Sequence, residues 1–111
     1  MPNKSTIQIK PGVRLIGLNP QIILAVFAGS SIWMQHFPEV DFVITCATDG
    51  KHGRGSRHYF GNAIDIRTRT LNADDAHKAH RLLAGALSVE FDVILEPDHI
   101  HVEWDPKHGS T

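Results

Sequence analysis

Four side chains suited to metal chemistry occur in two short stretches of the sequence. His58 precedes Asp65 by seven residues, and Asp98 precedes His101 by three. Two imidazoles and one carboxylate around a metal, with one position left for water, form the pattern of a catalytic zinc site. The residue types therefore predict a zinc ion held by His58, Asp65 and His101.

Asp98 supplies the second carboxylate that hydrolysis needs. It stands at a predicted turn, from which it could reach a zinc-activated water without binding the metal itself. Zinc lowers the pKa of its water to about 7, so Asp98 would accept a proton as the water attacks a carbonyl. The same group would then protonate the leaving amine, and the predicted reaction is hydrolysis of a peptide bond.

The hydrophobic pattern predicts two helices that would support this site. Asn19 and Pro20 are typical of a helix start, and apolar residues continue at helical spacing to about Gln35. The small residues at 29–31 indicate either a close packing point or a break. Asn72 would cap the second helix. The residues expected on the buried faces are Ile22, Ile23, Val26, Phe27, Trp33 and Met34 in the first helix, and Ala76, Ala79, Leu83, Ala86 and Leu87 in the second.

Apolar and alternating runs predict strands at 6–9, 41–46, 62–67, 91–96 and 99–104. Asp65 lies on the opposite face of its strand from its two isoleucine neighbours, whereas His99, His101 and Glu103 share one face of theirs. If these two strands are neighbours, the predicted ligands converge. We expect an α+β fold with a small antiparallel sheet packed against two main helices, in one domain spanning 1–111 with its core at about 19–105.

The composition of the chain is that of an ordinary globular protein. It has 111 residues, 41% of them apolar, and a formal charge of −1, so nucleic acid is not an expected partner. The longest apolar stretch, 22–33, is too short to span a membrane. The polar N-terminus lacks the apolar segment of a signal peptide, so we expect a protein made in the cytoplasm and released by cell lysis, through a holin or in a particle. We also expect it to be a monomer. The single cysteine, Cys46, is predicted to be a buried, inert thiol.

A local cluster of cations surrounds the first motif, despite the weak net charge. It could be a solvated rim or a site that holds an anionic substrate, and the sequence leaves both readings open. Its members are Lys51, Arg54, Arg57, Arg67 and Arg69.

The motif Ser56-x-His58-x-x-Gly61-x-Ala63-x-Asp65, followed by Asp98-x-x-His101, resembles the zinc D-Ala-D-Ala peptidase family. That family includes VanX-type dipeptidases, D,D-carboxypeptidases and the L-alanyl-D-glutamate endopeptidases of phage endolysins. It shares its fold with the Hedgehog signalling domain. The resemblance covers the ligand positions and the order of the elements from about residue 19 to 105.

The resemblance implies the same ligand and acid/base assignments, and it adds supporting residues. Ser56 would lie behind the ligands and orient the site. A cation upstream of the first ligand would stabilise the developing oxyanion, and Lys51 or Arg54 is expected to supply it. His99 is a further candidate for that role.

The expected function is therefore that of a small zinc peptidoglycan peptidase of the endolysin type, cleaving an L-Ala-D-Glu or D-Ala-containing bond of the stem peptide. A D,D-carboxypeptidase or dipeptidase acting on D-Ala-D-Ala is the alternative among enzymes. A non-catalytic virion or binding module that keeps zinc for folding is the alternative from another class. The presence of Asp98 argues against it, since a degenerate site is expected to lose its base first.

Overall fold

The computed structural model describes residues 7–48 and 61–106. Within these residues the chain forms two helices and five strands, which confirms the α+β class. Every predicted strand lies within one residue of its observed bounds. In chain order the elements are β1 (Ile7–Ile9), α1 (Pro20–His36), β2 (Phe42–Cys46), β3 (Ala63–Arg67), α2 (Ala73–Ala86), β4 (Phe91–Leu95) and β5 (His99–Trp104).

The described strands form a sheet in the order β1-β2-β3-β5-β4. Its neighbouring pairs are antiparallel except β1 and β2, which are parallel. The sheet is therefore mixed, and the prediction of an antiparallel sheet was wrong for this pair. The physical reason is the connection, because the chain between β1 and β2 contains α1, and a crossover of that length returns a strand in the parallel direction.

Helix α1 begins where the sequence predicted. The side chain of Asn19 accepts a hydrogen bond from the Gln21 backbone N–H at 2.9 Å, and proline occupies the first turn. The predicted buried face was too wide, because the sheet and α2 cover only one side of a helix that is apolar nearly all round. Ile23, Phe27 and Met34 are 43%, 61% and 52% exposed.

The small residues within α1 mark a close packing point and not a break, because the helix runs uninterrupted through them. A Cβ built on Gly29 would lie 2.8 Å from Cε1 of Phe42. The Phe42 ring thus packs directly on the helix backbone, and it meets the Trp33 ring edge-on with the centroids 5.2 Å apart. Glycine at this position lets β2 approach α1.

Helix α2 is capped by Asn72, whose side chain accepts from the Asp75 backbone N–H at 2.8 Å. The ring Nε2 of His80 lies 2.8 Å from the Val93 carbonyl oxygen, which fixes α2 to β4. Ala79 and Leu83 are fully buried, as predicted. Ala86, the last residue of α2, is exposed, contrary to the prediction.

The core lies between the two described helices and one face of the sheet. Ile64 and Ile66 of β3 and Ile100 and Val102 of β5 are fully buried against helix residues there. Because side chains alternate along a strand, the residues between them project from the opposite face. Within 7–48 and 61–106, no helix has the length and apolar character needed to cross a membrane.

Candidate functional site

Strands β3 and β5 place two of the predicted zinc ligands directly opposite each other. They pair antiparallel with Asp65 against His101 and Arg67 against His99. Directly opposite residues share a face of the sheet. His101 Nδ1 lies 2.9 Å from Asp65 Oδ1, and both side chains are largely buried. The convergence expected of the two strands is therefore present, and the role of these residues as ligands stays a prediction.

Several predicted site residues lie outside the described residues. His58 is the third predicted zinc ligand, and Ser56 is the residue expected to orient the site. Lys51 and Arg54 are the cations expected to stabilise an oxyanion.

Gly61, the glycine within the first motif, has a structural role at the entry to β3. Its φ of +75° is in the region that favours glycine. A Cβ there would collide with the carbonyl oxygen of Gly17, and the Gly61 carbonyl accepts a hydrogen bond from the Asn19 backbone N–H at 2.9 Å. This contact joins the residue two positions before β3, and four before Asp65, to the start of α1.

The His101 ring is held between two carboxylates. Its Nε2 lies 2.9 Å from Glu103 Oε1, while Nδ1 faces Asp65. The hydrogen bond to Asp65 raises the pKa of His101 above its ordinary value; burial opposes this, and the bond to Glu103 adds to it. Without a metal, the ring donates at both nitrogens only when it is protonated. The two contacts therefore favour the protonated ring, with a proton at the position between His101 and Asp65.

A zinc ion suits the donor atoms at that position. Imidazole nitrogen and carboxylate oxygen are ordinary zinc ligands, and two ligands of a tetrahedral zinc lie about 3.4 Å apart. Asp65 Oδ1 and His101 Nδ1 are 2.9 Å apart, so they would separate by about 0.5 Å to hold the ion. Glu103 would keep the other ring N–H, as the partner of a metal-binding histidine usually does.

Asp98, the predicted acid/base, lies at the turn before β5 with its side chain 71% exposed. The ring Nδ1 of His99 donates to its Oδ1 at 2.7 Å. This hydrogen bond lowers the pKa of Asp98 below the ordinary value, and the charge of Arg69 contributes to the shift. The carboxylate is therefore ionised near neutral pH and available to accept a proton.

His99 connects the predicted base to a predicted ligand. One ring nitrogen bonds Asp98, and the other, Nε2, lies 3.8 Å from Asp65 Oδ2. The imidazole therefore lies between the two carboxylates and is hydrogen-bonded to that of Asp98. Because His99 donates a hydrogen bond to Asp98, it is suited to orient that carboxylate. This role would be additional to its predicted role in stabilising an oxyanion.

A groove of about 270 Å³ borders Asp65, Asp98 and His99, and we call it the site groove. Cys46 also lines it and is half-buried, so the prediction of a buried thiol was wrong. The reason is an irregularity in β2. The register shifts between Ile44 and Cys46, which brings the thiol opposite Asp65 instead of into the core.

Glu103 is the contributor to the site that the sequence did not assign. Its signal was the alternation of β5, which put it on the same face as His101 two residues earlier. A carboxylate at that spacing reaches the far nitrogen of the histidine ring, at the observed 2.9 Å.

A second group of carboxylates lies on β4, on β5 and directly after β5. Within the described residues, oxygen atoms of Asp92, Glu103 and Asp105 lie within 4.8 Å of one another and could hold a metal ion. Three carboxylates suit a hard cation better than zinc. Exposed acidic groups are common without an ion, and one member already accepts from His101.

Neither a protein-family model nor a curated protein matches the chain. The functional argument therefore depends on the geometry of these residues and on the motif.

Proposed function

We propose that the chain is a zinc-dependent peptidoglycan peptidase that resembles the zinc D-Ala-D-Ala peptidase family and has that family's Hedgehog-like fold. The observation that carries the proposal is the meeting of Asp65 and His101 on paired strands, at 2.9 Å, beside a groove that also borders Asp98. The motif predicted these three residues although Asp65 precedes Asp98 by 33 positions and His101 by 36.

In this proposal His58, Asp65 and His101 would hold zinc. A zinc ion bound there would act as a Lewis acid on the scissile carbonyl and would lower the pKa of the attacking water. Asp65 and His101 contribute one oxygen and one nitrogen donor from rigid strands, and Glu103 fixes the orientation of the His101 ring through Nε2. Strand positions keep the donors in place while substrate enters and leaves.

Asp98 performs the proton transfers. Its ionised carboxylate takes a proton from water, and the protonated group passes that proton to the leaving amine. His99 holds Oδ1 of this exposed carboxylate through the 2.7 Å hydrogen bond and leaves Oδ2 to exchange protons. The substrate is the stem peptide of peptidoglycan, which the protein reaches after release from the cytoplasm. The bond is L-Ala-D-Glu or one that contains D-Ala.

The test is a comparison of zinc content and hydrolysis in matched variants. We expect the full chain to bind one zinc and to release amino groups from purified peptidoglycan. Asp98→Ala should keep the zinc and lose activity by about 100-fold or more, because a positioned acid/base contributes about 10²–10⁴-fold. Glu96→Ala, which removes another exposed carboxylate near the same turn, should retain activity.

The outcomes separate the alternatives. Robust cleavage by Asp98→Ala would refute the mechanism. Mass spectrometry of digested stem peptides distinguishes an endopeptidase from a D,D-carboxypeptidase or dipeptidase by the fragment released. A zinc-stabilised module without catalysis would bind zinc, unfold when the metal is removed, and hydrolyse no wall preparation.

A further inference from the structure

The site groove has a cationic side that the proposed chemistry does not use. Three elements of the described chain supply it. Arg67 is the last residue of β3, and Arg69 follows in the turn after it. Lys10 follows β1, where its backbone N–H donates to a carbonyl of β2 at 3.0 Å. All three residues line the groove that Asp65 and Asp98 also border.

Strand geometry directs Arg67 toward the reacting groups. It lies two residues after Asp65 on β3, and β5 places His99 opposite it. Residues two apart on a strand, and residues directly opposite across a pair, share one face. Arg67 is therefore on the same face as a predicted zinc ligand and the residue that holds the predicted base.

The groove carries more positive than negative charge. Lys10, Arg67 and Arg69 are its described cations, against the carboxylates of Asp65 and Asp98. Among the described residues, no salt bridge joins any of these three cations to an acid. Zinc on Asp65 would leave still less negative charge there. The complementary ligand is an anion bound next to the scissile bond.

We propose that Arg67 and Arg69 bind the free α-carboxylate of the substrate residue that supplies the leaving amine. This inference rests on the proposed function and names the substrate feature that its site selects. Arginine binds a carboxylate through two parallel N–H donors, so it fixes orientation as well as charge. Lys10 adds positive charge at the far side of the groove.

Both candidate bonds offer this carboxylate in the same place. In a stem peptide in which D-Glu continues through its γ-carboxyl, the α-carboxylate stands on the carbon bonded to the scissile nitrogen. In D-Ala-D-Ala, the terminal carboxylate stands on the equivalent carbon. A site that binds a carboxylate two bonds from the leaving nitrogen therefore fits either source, and the bond that is cleaved identifies which one is used.

The first arm of the test compares substrates on the unmodified, zinc-loaded chain. Two pairs of synthetic stem peptides are needed, one with D-Glu as its α-carboxylate or α-carboxamide, and one ending in D-Ala-D-Ala acid or amide. In the pair that contains the cleaved bond, we expect amidation to lower kcat/KM by about 10- to 100-fold, the scale of a lost charge-assisted hydrogen-bond pair. Equal rates for acid and amide would overturn the proposal.

The second arm removes the cations. Arg67→Gln/Arg69→Gln should remove the difference in kcat/KM between the acid and the amide peptides. Arg67→Lys/Arg69→Lys, which keeps the charge without the paired donors, should keep part of this difference. Arg81→Gln, an exposed arginine on α2, is the matched control and should behave as wild type. Discrimination that persists in the glutamine variant contradicts the proposal.

A binding arm separates this inference from the proposed function. Side-chain Nε–Hε resonances of Arg67 and Arg69 are followed by NMR during titration with D-alanine, the γ-D-Glu-Lys dipeptide, or their α-amides. Chemical-shift changes with the acids but not with the amides support the carboxylate site, even if no peptide is hydrolysed. The lack of hydrolysis would then refute the peptidase function and not the carboxylate site. If neither arginine responds to the acids, the groove is a solvated rim and the inference fails.

Discussion

His101 is the residue on which the account depends most, because both of its ring nitrogens face carboxylate oxygens at 2.9 Å. These two contacts favour the imidazolium form of the ring when no metal is present. A metal would replace the proton on Nδ1 and leave the one that Glu103 accepts. Both hydrogen bonds thus stabilise the protonated ring when no metal is present, and the one to Glu103 would orient the ring as a ligand when a metal is bound.

The raised pKa of His101 gives a pH dependence of stability for the metal-free chain. A group whose pKa is higher in the folded state stabilises the fold fully below its unfolded pKa, about 6.5 for histidine. That contribution is lost as the pH rises through the higher folded value. We therefore expect EDTA-treated wild type to lose stability against urea as the pH increases above about 6.5.

The contribution of His101 is isolated by two histidine variants. His101→Gln should lack this part of the pH dependence, and His77→Gln, at an exposed position on α2, should keep it. Urea midpoints from about pH 5 to about pH 9 are the measurement. The same dependence in His101→Gln as in wild type would show that another group is responsible.

At the scale of elements, β3 and β5 could be predicted from the sequence because their alternation is strict. Apolar Ile64, Ile66, Ile100 and Val102 left one face for the core, and the polar residues between them had to share the other. The irregularity in β2 could not be predicted. Nothing in an apolar run marks the residue at which the register shifts, and the side of the sheet on which Cys46 lies depends on it.

The packing of β2 on α1 gives a stability prediction with a matched control. Gly29→Ala puts a methyl group 2.8 Å from the buried Phe42 ring, which Trp33 confines. Overpacking of this kind costs about 1–3 kcal/mol. In α2, a Cβ on Gly85 meets nothing within 4 Å, so Gly85→Ala should gain up to about 1 kcal/mol of helix propensity.

The comparison of the two alanine variants isolates the close approach from the effect of helix propensity. We expect Gly29→Ala to unfold with a free energy about 1–3 kcal/mol lower than that of Gly85→Ala, measured by urea denaturation. Equal stabilisation by both substitutions would mean that the Phe42 ring moves aside and that α1 does not require glycine.

At the scale of the whole molecule, the sheet separates two environments. The helices and the core occupy one face, and the polar residues of β3 and β5 occupy the other. The sequence predicted which residues belong to each face. It could not predict that Lys10 lines the same groove as Arg67 and Arg69, because that placement depends on β1 joining β2 in parallel. The oxyanion residue stays a prediction, since Lys51 and Arg54 lie outside the described residues.

The most direct test of the central claim is a crystal structure of the zinc-loaded chain with anomalous data at the zinc edge. The account predicts one strong peak bonded to Asp65 Oδ1, His101 Nδ1 and His58, at about 2.0–2.2 Å from each. A peak among Asp92, Glu103 and Asp105 instead, or no peak at stoichiometric zinc, would contradict it, because Asp65 and His101 would then be a hydrogen-bonded pair without a metal.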